Sequence, residues 1–472
     1  MVIQRDAPIH VWGNALPDQQ VTIGFSTQTA STKSDQSGHW KILLKPLPAN
    51  KAGQLLKVST SNSGLTLNNV VIGDVWHASG QSNMAMTVAA VAQRLPEAAQ
   101  HIREANLPNI RFRRVTQPAS KVALDQLPTN RGWVVCSPKT VSQFSAVSFY
   151  YAKELSEQLD VPIGIIDSSR GGTPIEPYIP RKAFHSHPTL MQELKLSDQN
   201  DLAGLWKLKG GVRARTETWL PGQLFNSRIA PIADFQVRGM IWYQGESNSG
   251  TGEDPRDYQY KMRALVDGWR TELKQPQLPC YFVQLPGSGA GKNWPYLREQ
   301  QRLSASIPNT AMVVTIDLLD QNIHPPNKVD VSRRLASCAL ANEYKKNVPY
   351  SGPLFKQAQR FADKLIVHFN HTESGLMAAK KEGLLPPKEL ATDSLAHFEL
   401  LDPSGNWHAA KAEIDNQTVI VSSGQVSEPV AVRYAYEIDP QNCQLYNRDG
   451  FPASPFCSQP AQLDFEHSVP EE

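Results

Sequence analysis

Residues 73–86 read GDVWHASGQSNMAM, and the fold turns on how this stretch divides. From Val70 to Ser79 the residues are mostly apolar on both faces, the pattern of a strand covered by helices on both sides. Gly80-Gln81-Ser82-Asn83 then breaks the run, and Met84, Val88, Val91 and Leu95 recur at helical spacing. A serine between strand and helix usually caps the helix. The same position also suits a nucleophile, because free N–H groups at a helix start favour a developing oxyanion.

The strand-to-helix grammar repeats downstream. SAVSFYYAKELSEQL is helical and leads into the strand VPIGIIDSS; QVRGMIWYQGE is a strand followed by the helical RDYQYKMRALVDGWRTEL. LPCYFVQLP and TAMVVTIDLL read as strands, and WPYLREQQRLSASI and VDVSRRLASCALANEY as helices. This is the pattern of an α/β doubly wound, mainly parallel sheet, whose sites lie beyond the carboxyl ends of the strands. Short β-like runs flank it on both sides. The reading is therefore an all-β region over 1–70, a catalytic α/β domain over 71–348 and a C-terminal β region over 349–472. Residues 174–222 read as a long irregular loop.

A net charge of +2 gives no argument for nucleic acid or an anionic membrane surface, and no apolar run is long enough to insert in a bilayer. Of the five cysteines, Cys443 and Cys457 share a Pro- and Asn-rich tail and would form a disulfide in an oxidising compartment. GSGAGKN at 287–293 lacks the first glycine and the Ser or Thr of a phosphate loop, which removes nucleotide binding.

Four polar stretches fall at predicted strand ends: GQSNM (80–84), SSRGGT (168–173), WYQGESN (242–248) and DLLDQNIHPPNK (317–328). Ser82 is the candidate nucleophile. Gly171, or else Gly172, could bring a backbone N–H to the oxyanion. Gln244 offers a side-chain amide for the same charge, Glu246 a carboxylate to orient a histidine, and His324 a general base. His185 and His187 lack further ligands and read as loop.

These motifs resemble the sialate O-acetylesterase family of the SGNH hydrolase superfamily, and MVIQRDAPIHVWG and LYNRDGFPASPF extend the likeness to both flanks. The resemblance implies a flavodoxin-like catalytic domain that removes acetyl groups from sugar hydroxyls without a cofactor or metal. Its partner would be an acetylated carbohydrate, sialic acid or a plant or microbial polysaccharide. It assigns Ser82 as nucleophile, His324 as base, and Ser82 N–H, Gly171 N–H and the Gln244 amide (Asn248 as alternative) as oxyanion donors. Family members often carry Asp where this chain has Asn322, so the acid falls to Glu246 or Asp320, or the pair acts as a Ser–His dyad. Arg170 replaces a frequent tryptophan and could meet a substrate carboxylate. The N-terminal match starts inside a family strand, so upstream residues and export to a periplasm or the exterior are expected. Asn322 also feeds the alternative of a decayed, sugar-binding relative; an acetylxylan-type esterase is the other alternative.

Overall fold

The Gly64–Gly80 strand organises the chain. Its second half, from Val70 onward, is wholly buried and sits in the middle of the central sheet of a computed structural model that describes residues 1–472 except 129–131, 210–218, 251–253, 290, 292, 319, 321, 393 and 461–472. Parallel to it lie Ile163–Asp167 on one side and Gly239–Tyr243 on the other, followed outward by Cys280–Val283 and Thr310–Val313. The five strands read from the sequence thus stand in spatial order second, first, third, fourth, fifth. A further parallel strand, Leu107–Arg114, extends the sheet beyond Ile163–Asp167 and carries the short antiparallel Val134–Cys136. It escaped the sequence reading because arginines interrupt its apolar run; Arg111 is buried and donates to the Met1 carbonyl at 3.0 Å.

The predicted helices form at Ala146–Leu159, Tyr258–Glu272, Trp294–Ser304 and Lys328–Asn342. Ser145 caps the first of these, its Oγ accepting from Ser148 N–H at 3.2 Å. The helix expected after Ser82 is broken instead. One turn, Ser82–Ala85, ends at Met86, whose carbonyl accepts from Ala146 N–H; Thr87 then caps Val88–Ala92. Met84, Val88 and Val91 are buried as their spacing required. The stretch 174–222 is no bare loop, for it carries the helices Pro188–Asp198 and Leu202–Leu208.

The first half of Gly64–Gly80 belongs to a second sheet, pairing antiparallel with Asn50–Ser59, which in turn pairs with Gln20–Phe25. That sheet encloses its own core of Ile3, Val21, Ile23, Phe25, Trp40 and Leu56. The C-terminal strands differ: Val367, Phe398, Tyr434 and Phe456 join the same apolar core as the central sheet. The two flanking β regions therefore do not share a core.

The expected Cys443–Cys457 disulfide is absent, and all five cysteines are buried free thiols. Cys457 lies in a strand opposite Arg433, while the Cys443 thiol faces the Pro440 carbonyl in a loop.

Candidate active site

Registration of the strands brings three of the four motifs to one edge. Gly80 pairs with Tyr243, and Ala78 with Asp167, so the residues that follow each strand emerge side by side. Gly80 can only be glycine: its φ is +137°, and a Cβ would stand 2.1 Å from the Tyr243 carbonyl oxygen. The fourth motif must travel. Thr310–Val313 lies three strands away, roughly 14 Å at ordinary strand spacing. The segment between Val313 and His324 returns across that gap.

It delivers His324 to Ser82. The imidazole Nε2 lies 2.8 Å from Ser82 Oγ, and both residues are half-buried, open to a substrate. Ser82 is not the cap of its helical turn; Gln81 holds that position and makes no side-chain cap. Among the described residues the hydroxyl is therefore engaged by the imidazole alone. The backbone N–H groups of Ser82 and Gly171 donate to no described group. Gly171 abuts Ser82, since a Cβ there would lie 3.7 Å from Ser82 Cβ. Gly172, with φ +68°, is the turn residue that makes this approach possible.

Behind the histidine stands an amide. His324 Nδ1 lies 3.0 Å from Asn322 Oδ1, which also accepts the His324 backbone N–H at 3.0 Å. As the acceptor from Nδ1–H, Asn322 fixes the tautomer that leaves Nε2 free to take the serine proton. Burial lowers the His324 pKa, and the Lys328 and Arg94 cations lower it further. The imidazole is consequently neutral at pH 7.

Neither carboxylate expected to act as the acid reaches the imidazole. Asp320 pairs with Arg94, and the same guanidinium donates to the His324 carbonyl at 2.7 Å. This clamp holds the loop rather than the ring. Glu246 is buried and accepts from Asn83 Nδ2 at 2.5 Å; burial pushes its carboxyl up to about 7. The Asn83 amide also donates to the Ile323 carbonyl at 2.9 Å and accepts from Lys328 Nζ. Burial likewise brings Lys328 down to about 7. Asn83 thus ties the Ser82–Ala85 turn to the peptide before His324. Sequence reasoning passed over it, although it adjoins Ser82 in the motif; Lys328, which opens the helix four residues after His324, was passed over as well.

Gln244 and Asn248 take a different place from the one read for them. Gln244 Nε2 donates to Asn248 Oδ1 at 2.8 Å and to Gln81 Oε1 at 3.0 Å, while its Oε1 accepts from the Tyr258 hydroxyl at 2.7 Å. Asn248 Oδ1 accepts from Ile175 N–H at 3.0 Å, and its Nδ2 faces the buried Glu176 carboxylate. Lys209 and Lys261 stand 2.7 and 2.9 Å from that carboxylate and hold it well below the usual range, against the cost of burial. These amides join three strand ends into one platform and are occupied in doing so. Arg170 is half-buried, and its guanidinium makes no hydrogen bond or ion pair among the described residues. His187 stacks on Tyr260 at 3.8 Å, and no three His, Cys, Asp or Glu side chains converge among the described residues.

With this geometry in place, the comparisons define a class first. The chain is similar to a carbohydrate esterase of α/β fold: a carbohydrate acetylesterase from Xanthomonas citri superposes with a TM-score of 0.83 at 32% identity, over 97% of this chain and 96% of that one. The model of the family "carbohydrate esterase, sialic acid-specific acetylesterase" matches residues 72–341. The sialate O-acetylesterases of Homo sapiens and Mus musculus are 28% and 26% identical to it over 97% of this chain, and 90% and 92% of their own lengths. The chain belongs to this family of carbohydrate esterases, and its activity is the removal of O-acetyl groups from carbohydrates.

Proposed function

We propose that the chain deacetylates sugars by a double displacement in which Ser82 is the nucleophile and His324 the base. Ser82 Oγ bonds to the acetyl carbon while its proton passes to His324 Nε2; the acyl C–O bond then breaks and the imidazolium returns that proton to the departing sugar oxygen. Water, deprotonated by the same nitrogen, attacks the acetyl-serine and releases acetate. The Ser82 and Gly171 N–H groups are positioned to hold the oxyanion in both steps. The observation that carries this reading is the 2.8 Å contact of Nε2 with a hydroxyl that has no capping role. The same contact weighs against a decayed site. Asn322 serves as the orienting group of a Ser–His–Asn arrangement.

We further read the sheet as flavodoxin-like and of SGNH type, with Leu107–Arg114 as an inserted edge, and keep the division at 70/71 and 348/349. The name of the family makes sialic acid the first substrate to try, with a periplasmic or secreted setting. Arg170, unpaired among the described residues and next to Gly171, would meet the carboxylate of such a sugar. No described helix is long and apolar enough to cross a membrane.

Acetate release from p-nitrophenyl acetate, acetylated sialic acid and acetylated xylo-oligosaccharides tests the scheme. Ser82→Ala should lose at least about a thousandfold in kcat on every substrate; equal rates in the two proteins would end it. Arg170→Met should lower kcat/KM about tenfold on acidic sugars only.

A further inference from the structure

The catalytic loop has a second side. Residues on either flank of His324, among them Asp320, Pro325 and Asn327, form one wall of a cleft of about 590 Å³. The opposite wall comes from the C-terminal strands and their loops, with Lys380, Leu390, Asn442 and Gln444. That wall lies outside residues 72–341, the part the family model matches. The cleft begins at the peptide next to the catalytic histidine, and Leu95, which follows the Arg94 that clamps this loop, belongs to its lining.

The charges in the cleft are already spoken for. Asp317 is bound by Arg334, Asp320 by Arg94, Lys380 by Glu382 and Lys381 by Asp330. Three side-chain amides, those of Gln441, Asn442 and Gln444, are left with hydrogen-bonding capacity among the described residues. Among the described residues the side chains of Gln441 and Asn442 make no hydrogen bond, and Gln444 uses only its oxygen, weakly, toward Ala396 N–H at 3.4 Å. A charged ligand would find no unpaired counter-ion among the described residues here and would lose its hydration. A neutral, polyhydroxylated ligand would find amides to exchange donors and acceptors with, and Leu95, Leu318 and Leu390 against which to lay the apolar faces of its rings.

We propose that this cleft is a subsite for the neutral glycan chain that carries the acetylated sugar. It rests on the esterase reading only for the direction in which that chain enters, so binding and turnover are tested apart. The probe is an unacetylated, neutral tetrasaccharide of xylose or glucose units, titrated calorimetrically into the wild-type protein. Asn442→Ala combined with Gln444→Ala should weaken its binding about tenfold, as the loss of two modest hydrogen bonds implies. Leu390→Trp, which fills the cleft, should weaken it at least as much. With the O-acetylated tetrasaccharide, the double variant should raise KM by a similar factor and leave kcat within about twofold. No binding to the wild type, equal binding by the variants, or tighter binding of a uronic-acid tetrasaccharide would each overturn the proposal. A wild-type protein that binds the tetrasaccharide but cleaves no acetyl ester would remove the catalytic reading and leave the cleft standing.

Discussion

At the scale of single residues, the unusual feature is an amide where a carboxylate would stabilise the imidazolium. Asn322 can orient His324 but cannot lower the energy of its charged form, and the neighbouring cations Lys328 and Arg94 raise it. For a base, a lowered pKa means that the neutral form persists to lower pH. The acid limb of kcat/KM should therefore fall below the ordinary histidine value of about 6.5. Asn322→Asp reverses the sign, since a carboxylate 3.0 Å from Nδ1 favours the protonated ring. The limb should move up by about one pH unit, and the plateau above it should rise by as much as about tenfold, the kinetic equivalent of that shift. A pH–rate profile of both proteins on one acetyl ester checks this; an unmoved limb would mean that His324 is not the base. That Ser82 and His324 could meet was legible in the sequence because each follows an apolar strand, where few polar residues have a packing role. Their supporting partner was not. Asn322 acts over a two-residue turn, a contact set by backbone geometry that residue type alone does not reveal.

At the scale of elements, the site depends on how a long return segment is fastened. Two ties hold its end beside the imidazole: Arg94 grips Asp320 and the His324 carbonyl from outside, and Asn83 grips the Ile323 carbonyl from within. The inner tie is the more demanding, because Asn83 also separates the buried Lys328 ammonium from the buried Glu246 carboxylate. Asn83→Ala frees the peptide before His324 and leaves both groups without their shared partner, at a stability cost of about 1–3 kcal/mol. A displacement of the imidazole by about 1 Å is worth up to about a hundredfold in rate. The expected result is a fall in kcat of about ten- to a hundredfold with KM changed by less than about twofold. A change confined to KM would contradict a positioning role. The elements themselves were mostly readable from apolar periodicity. The break at Met86 was not, since it arises from bonds to Phe144 and Ala146, some sixty residues away. The same holds for Gln244 and Asn248, whose amides were read as facing substrate but are consumed by the platform beneath it.

At the scale of the whole molecule, composition marks three regions, but the cores divide the chain differently. The N-terminal strands pack around their own apolar centre, whereas the C-terminal strands complete the core under the active site. Alternating strand patterns are alike at both ends, so the sequence could not tell these cases apart. The difference has a mechanical consequence. Phe456 is fully buried, stacks on Phe355 at 4.5 Å and meets Phe369 edge-on at 5.8 Å, and its neighbour Cys457 donates its backbone N–H to Glu299 in the Trp294–Ser304 helix at 3.3 Å. Phe456→Ala would open a cavity in the shared core and cost about 3–5 kcal/mol. Because that core also supports the strand ends that carry Ser82 and Gly171, esterase activity and near-ultraviolet circular dichroism should be lost at the same, lower temperature. Ile23→Ala, placed in the N-terminal core, should lower stability there while activity outlasts the first transition. If the Phe456→Ala protein kept its activity after its C-terminal strands had melted, the two would be separate cooperative units, and the cleft between them would be an interface free to open rather than a fixed wall of the substrate path.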